Sequence, residues 1–458
     1  MPMHFSRRVF LLGATAALAV GPLRAAPRAL AMPSAAQLAW QRDALALFVH
    51  FGVNTFTDRE WGDGREDPAM FDPAQLDARQ WARAARAAGA RALILTAKHH
   101  DGFCLFPSAT TRHSVASSPW RGGHGDVVRE FTDACRAEGL RAGLYCSPWD
   151  RNAPVYGNVR YNDFYCEQLT ELLTRYGEIS EMWFDGANGE GPNGRHQDYD
   201  WPRIFALVRR LQPNAVIFSD AGPDARWCGN EKGSAGDPNW AAIDPATVPV
   251  PGVSGDGVIE ALQHGAPHGR VWRPAEVDVS IRPGWFHHAA EDAQVKSVDA
   301  LLDIWFGSVG RNAKLLLNVP PTRTGLMHEG DVARLADWHA ARQRLFAADL
   351  VGDRRIAWRA TGPRRAVAEI DFGRVVRAGI ARLEEDIAHG QRVARYTISV
   401  ADAAGGWRPL ASGSTIGACK LDRFAPTALR KLRVEVEVED AVAAPLQLRI
   451  ALYAGAAA

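Results

Sequence analysis

Ala92-Leu93-Ile94-Leu95-Thr96-Ala97-Lys98-His99-His100-Asp101 is an apolar run that stops abruptly in charge and imidazole. Such a run predicts a strand covered on both faces, as parallel strands are. The same shape recurs at Ala44–Phe51, Arg141–Ser147, Glu181–Asp185, Ala215–Ser219, Glu276–Ile281 and Lys314–Val319. Between these runs apolar residues return with a helical period, at Trp81–Ala88, Val127–Ala137, Tyr165–Tyr176, Ile204–Leu211 and Val295–Trp305. Strands alternating with helices predict the α/β class and, over residues 38–345, a (β/α)8 TIM-like barrel. An eighth strand is not legible. A Gly-, Pro- and Asp-rich stretch from Gly229 to Gly269 stands in its place and predicts a long loop at the barrel mouth. Past Leu350 the runs shorten and alternate, at Ala366–Ile370, Gly379–Leu383, Ala394–Val400, Lys431–Val438 and Leu446–Leu452. They predict a C-terminal antiparallel β-sandwich over residues 351–458, read as a structural cap on the barrel.

Composition narrows the function. The chain has 458 residues, 47% hydrophobic and 23% charged, which excludes a fibrous or mostly disordered protein. Its 53 Lys+Arg against 52 Asp+Glu leave no basic excess for nucleic acid. The six cysteines form no Cys-x-x-Cys, and Cys104, Cys135 and Cys146 sit in apolar stretches, which reads as buried thiols with a disulfide left open. Residues 1–31 read as a twin-arginine-type export signal: Arg7-Arg8 precede an apolar run to Val20, and Ala29-Leu30-Ala31 has the small-x-small form. The run is shorter than the ~20 residues a bilayer span needs. A periplasmic or secreted bacterial protein is expected, with no membrane anchor after signal removal.

Chemistry in such a barrel gathers at the C-terminal ends of its strands. The polar residues there are His50, Lys98-His99-His100-Asp101, Tyr145, Trp183, Asp185 and Asp220. A charge closing an apolar strand is costly unless paired or functional. Asp185, in Trp183-Phe184-Asp185-Gly186, is the sharpest case; the alternative is a helix N-cap. His99-His100 could be structural or bind a metal. An adjacent pair shares a metal poorly and no third ligand has helix spacing, so no metal is expected.

These residues carry a resemblance. His50-Phe51-Gly52, Glu60-Trp61, Lys98 to Phe103, Gly143-Leu144-Tyr145 and Trp183-Phe184-Asp185-Gly186 resemble, in order, motifs of the α-L-fucosidases of glycoside hydrolase family 29. The resemblance covers most of residues 38–345 and implies a retaining enzyme without cofactor or metal. It makes Asp185 the nucleophile and puts His50, Glu60, Trp61, His99, His100, Tyr145 and Trp183 around the sugar. Trp285 and Phe286 resemble the apolar wall for the C5 methyl group.

Arg226-Trp227-Cys228-Gly229-Asn230-Glu231 and Trp272 through Arg282 resemble the branch that acts on α-1,3/1,4-fucosyl linkages. That likeness makes Glu231 the acid/base and Glu276 the alternative, with Arg226, Glu276 and Arg282 among the substrate contacts. The implied partner is a fucosylated oligosaccharide or glycoconjugate. Two other readings stand beside it: a broad-specificity fucosidase acting on aryl or α-1,2 fucosides, and a non-catalytic fucose-binding protein.

Overall fold

The computed structural model describes residues 30–439 and 447–455. The expected export signal therefore lies outside the described residues, apart from Leu30 and Ala31. Ser34 opens the first helix, α1 (Ala35–Asp43), with a reciprocal capping box to Gln37.

Eight parallel strands close a barrel in chain order. They are β1 (Leu45–Val49), β2 (Ala92–Lys98), β3 (Arg141–Cys146), β4 (Glu181–Trp183), β5 (Val216–Ser219), β6 (Ala225–Trp227), β7 (Ala275–Ser280) and β8 (Lys314–Asn318), and β8 pairs back onto β1. Strand periodicity of two then sorts the side chains. Leu45, Leu47, Val49, Leu93 and Leu95 face the surrounding helices. Ala46, Phe48, Ile94, Trp183, Phe218 and Leu316 fill the barrel interior. The helices are closed by local chemistry, as where Asp126 accepts from the Arg129 amide at the start of Val127–Ala137.

The eighth strand is not in the Gly229–Gly269 stretch. It is β6, only three residues long and just upstream, too short to register as a hydrophobic run. Asp220–Asp224 alone joins β5 to it, without a helix, so one of the eight units departs from the βα pattern. The Gly229–Gly269 stretch does form a long excursion, holding the helix Asp256–His264 and the strand Ala242–Ile243, which pairs antiparallel with Val271–Trp272 just beyond it.

The C-terminal domain is an antiparallel sheet of six strands: β9 (Arg359–Gly362), β10 (Arg365–Glu385), β11 (Val393–Ala401), β12 (Trp407–Gly413), β13 (Lys420–Val438) and β14 (Leu448–Tyr453). The runs Ala366–Ile370 and Gly379–Leu383 are one strand, β10. Its register against β13 slips at Asp371/Val376 and Ala378/Ile380, which bends it without ending it. The sheet is fixed to the barrel by polar contacts. Gln391 accepts from the Ala241 amide at 2.7 Å and from Asn312 at 3.1 Å, and Lys420 pairs with Asp237 at 2.7 Å. All six cysteines are buried and unpaired.

Candidate active site

Parity along the strands builds the site. His50 continues the inward row of Phe48, Asp185 that of Trp183, Asp220 that of Phe218, and Asp278 that of Glu276. They meet in a cleft of about 340 Å³ at the C-terminal ends of the strands, with Trp61, His99, His100, Tyr145, Trp227, Glu231 and Trp285 on its walls. On β2 the parity is broken on purpose. A register slip between Thr96 and Lys98 accompanies a turn of Lys98 away from the cleft, onto Asp150 at 2.9 Å and Gln168 at 3.0 Å. His99 and His100 then line the cleft.

Asp185 caps no helix. Its Oδ1 accepts from the Ala187 amide at 2.7 Å and its Oδ2 from the Tyr145 hydroxyl at 3.0 Å. Burial first, and then the Asp185 charge, hold the Tyr145 phenol well above its usual pKa, so it remains a donor. His100 Nε2 stands 3.8 Å from the same Asp185 oxygen.

The three histidines are neutral at ordinary pH. Burial pushes His50 down to about 3 and His99 and His100 below their usual value. Asn318 donates through Nδ2 to the Trp285 carbonyl at 2.8 Å, which leaves its Oδ1 to accept from His50 Nδ1 at 2.8 Å. His50 Nε2 is then an acceptor. Ser147 donates to the Trp149 carbonyl at 2.7 Å and so accepts from His100 Nδ1, also at 2.7 Å. His99 Nδ1 is buried with no partner among the described residues. Neutral rings, those of His50 and His100 with their tautomers fixed, suit sugar hydroxyls because they add no positive charge beside Asp185.

Four further carboxylates surround this centre. Glu231 is exposed at the rim, on a tight turn where Asn230 Oδ1 accepts from the Lys232 amide at 3.0 Å. Loss of solvent, then the charges of Asp185 and Glu60, raise its carboxyl, against a hydrogen bond from Trp285. Asp220 is pushed up to about 6 by burial and by Asp185; its Oδ2 accepts from the Gly252 amide at 3.1 Å. Asp278 is raised by burial and by Glu231, and accepts from Trp227 Nε1 at 2.9 Å. Glu60 is not on the cleft wall. It accepts from the Trp285 and Phe286 amides and from His288 at 3.0 Å, and so holds the Trp285 loop in place.

Besides Glu60, three expected contacts lie elsewhere. Glu276 is fully buried beneath the cleft, on Trp183 Nε1 at 3.0 Å and Lys314 Nζ at 3.2 Å; β7 pairs it with Lys314, which explains the partner. Arg226 is buried with its donors on the carbonyls of Leu262, Trp240 and Arg273 and on Asn239. Arg282 is locked to Asp331 at 2.8 Å and Asp292 at 2.7 Å. Phe286 is buried edge-on to His50 and His99. Trp227 and Asp278, which do line the cleft, were readable only as neighbours of the residues singled out. Their signal is parity on β6 and β7.

The family model described as alpha-L-fucosidase matches residues 65–340. Alpha-L-fucosidase 1 of Arabidopsis thaliana is 41% identical, over 93% of this chain and 88% of its own length. The crystal structure of a glycoside hydrolase 29 family member from a rumen bacterium is 39% identical, with a TM-score of 0.85 over 94% of this chain and 79% of that one. A Ruminococcus gnavus family 29 fucosidase in complex with fucose is 29% identical, with a TM-score of 0.83 over 94% of this chain and 97% of that one. With a family model over more than half its length and a relative aligned nearly end to end, this chain belongs to the α-L-fucosidases of glycoside hydrolase family 29.

Proposed function

We propose that the protein is an exo-acting, retaining α-L-fucosidase that releases α-1,3/1,4-linked L-fucose from branched glycans. One observation carries the reading: a carboxylate oriented by Tyr145 shares a small cleft with a second carboxyl, Glu231, whose proton is held above the usual range. Retention needs that division of labour, with the two carboxyls ~5–5.5 Å apart when substrate is bound.

In the first step Asp185 attacks the anomeric carbon. The glycosidic C–O bond breaks, and Glu231 gives its proton to the departing oxygen. In the second step Glu231 takes a proton from water, whose oxygen attacks the same carbon and releases the Asp185 carboxylate. Tyr145 holds Asp185 in line, and His50, His99 and His100 bind hydroxyls of the sugar. Trp285 supplies an apolar wall for a methyl group, and exposed Trp61 a face at the rim.

The linkage preference rests on the Trp227-to-Glu231 turn and on its likeness to the α-1,3/1,4 branch. We place the protein in the periplasm or outside the cell on the strength of Arg7-Arg8; replacing both with lysine should leave it in the cytoplasm.

The test runs a branched α-1,4-fucosyl trisaccharide beside an aryl α-fucoside, with the product anomer followed by NMR. Fast release of α-fucose from the trisaccharide and slow release from the aryl fucoside is expected. β-Fucose as first product would overturn retention. The reverse substrate order would overturn the linkage reading. Fucose bound but never released would leave a binding protein.

A further inference from the structure

The larger cavity of the protein is not the cleft. About 780 Å³ lies between the barrel and the C-terminal sheet, against about 340 Å³ for the cleft, and the two share no lining residue. Its walls come from the end of α1, from Trp305 on the helix Val298–Gly307, from the linker around Arg354–Trp358, and from β10 and β14.

Acceptors and donors on these walls are unequally used. Glu384 takes Arg382 at 2.6 Å and Arg449 at 3.5 Å. Glu385 is saturated by the amides of Gly417, Arg392 and Val393. Asp386 accepts from the Ala388 amide at 3.3 Å. The donors are left over. Trp358 Nε1 and Arg382 Nε are buried with no hydrogen-bond partner among the described residues. Arg42 and Arg355 line the cavity, are exposed, and have no ion-pair partner among the described residues. Buried donors without acceptors are costly unless something supplies acceptors. Unpaired guanidinium groups favour carboxylates and tetrahedral oxyanions such as phosphate or sulfate, which they bind in bidentate fashion. Trp305 and Trp358, both half-buried, add aromatic surface of the kind that stacks on sugar rings.

We propose that this interdomain cavity binds an acidic oligosaccharide, one bearing sulfate or carboxylate groups, at a site separate from the cleft. The proposal goes beyond the fucosidase reading and does not rest on it, since binding is measured directly.

Isothermal titration of the full chain tests it with three probes: a sulfated disaccharide without fucose, the same disaccharide unsulfated, and inorganic sulfate. The sulfated sugar should bind at one site, weaken as salt rises, and be indifferent to saturating fucose. The unsulfated sugar should bind at least tenfold more weakly. Loss of two charged hydrogen-bonding groups in Arg42→Gln/Arg355→Gln should weaken the sulfated sugar about tenfold or more. Trp358→Phe, which keeps a six-membered ring but removes the indole N–H and part of the stacking face, should weaken it severalfold. Neither variant should change hydrolysis of an aryl fucoside. Both arginines are exposed, so the double variant remains informative if Trp358→Phe does not fold. No saturation at millimolar sugar, displacement by fucose, or unchanged affinity in the double variant would overturn the site. Inorganic sulfate binding as tightly as the sulfated sugar would reduce it to an anion site and overturn the oligosaccharide.

Discussion

The mouth of the barrel and the interior just beneath it are built from the same residue types and do opposite things with them. Below, Lys314 lies between Glu181 at 2.6 Å and Glu276 at 3.2 Å. Trp40 and Trp183 donate to those two carboxyls at 2.8 and 3.0 Å. Lys314 and Glu181 pair their charges there, as low-dielectric surroundings demand, and burial together with Glu181 pushes Glu276 up to about 8. Above, Asp185, Asp220, Asp278 and Glu231 gather with no lysine or arginine on the cleft walls. Burial and mutual repulsion raise Asp220, Asp278 and Glu231. The lesson is that function follows from what a carboxyl lacks. Glu276 too is raised, by burial and by Glu181, but it is enclosed in the core on Trp183 and Lys314, whereas Glu231 is raised at the rim, open to a ligand and with no cation against it on the cleft walls.

The comparison predicts that the largest loss of turnover comes from above. Asp185→Ala should cut kcat about 10⁴-fold while fucose still binds, as measured by steady-state kinetics beside calorimetry. From below, Lys314→Met should cost about 3–5 kcal/mol of stability in denaturant titration, because it strands Glu181 and Glu276 in the core. If Lys314→Met proved neutral, the interior network would not be a matter of paired charge. Glu231→Ala should lose about 10²–10³-fold on a natural glycosidic bond and far less on an aryl fucoside, whose leaving group needs little protonation. Azide should rescue it as the α-fucosyl azide, because azide displaces Asp185 from the β-linked intermediate with a second inversion.

Glu276→Gln sharpens the contrast. The amide oxygen can still accept from Trp183, so kcat should stay within about tenfold of the parent. A loss matching that of Glu231→Ala would hand Glu276 the acid/base role. The smallest effect concerns pH. Asp220 holds its proton to about 6 in the folded protein, against an ordinary value of 3.8. The unfolded chain releases that proton first, so this group's contribution to stability falls as pH rises from about 4 to about 6 and is level above. Asp220→Asn should remove that slope, read as the difference in Tm between parent and variant across the window.

Most of the fold was legible because burial on both faces writes strands as continuous apolar runs. β2, read as Ala92–His99, spans Ala92–Lys98, and β8, read as Lys314–Val319, spans Lys314–Asn318. β6 escaped because three residues cannot show a pattern, and the bend in β10 passed for a turn. In the site, strand ends pointed to His50, Tyr145 and Asp185 correctly as cleft residues. They could not separate Glu231 from Glu276, or show Arg226 and Arg282 to be internal ties. Those distinctions lie in partners remote in sequence, such as Lys314 opposite Glu276 on the neighbouring strand.

Arg226 has a consequence for how such an enzyme can change. It grips the long excursion after β6 at three points, the backbone carbonyls of Leu262 and Trp240 and the side chain of Asn239, and takes a fourth carbonyl, that of Arg273, just beyond it. A clasp that reads the main chain is indifferent to most of the letters it holds. The excursion between Cys228 and Arg270 can therefore diverge, or be exchanged for that of a relative, without losing its mooring. The segment that carries Glu231 is in this way free to explore new leaving-group sugars while the fucose pocket stays as it is.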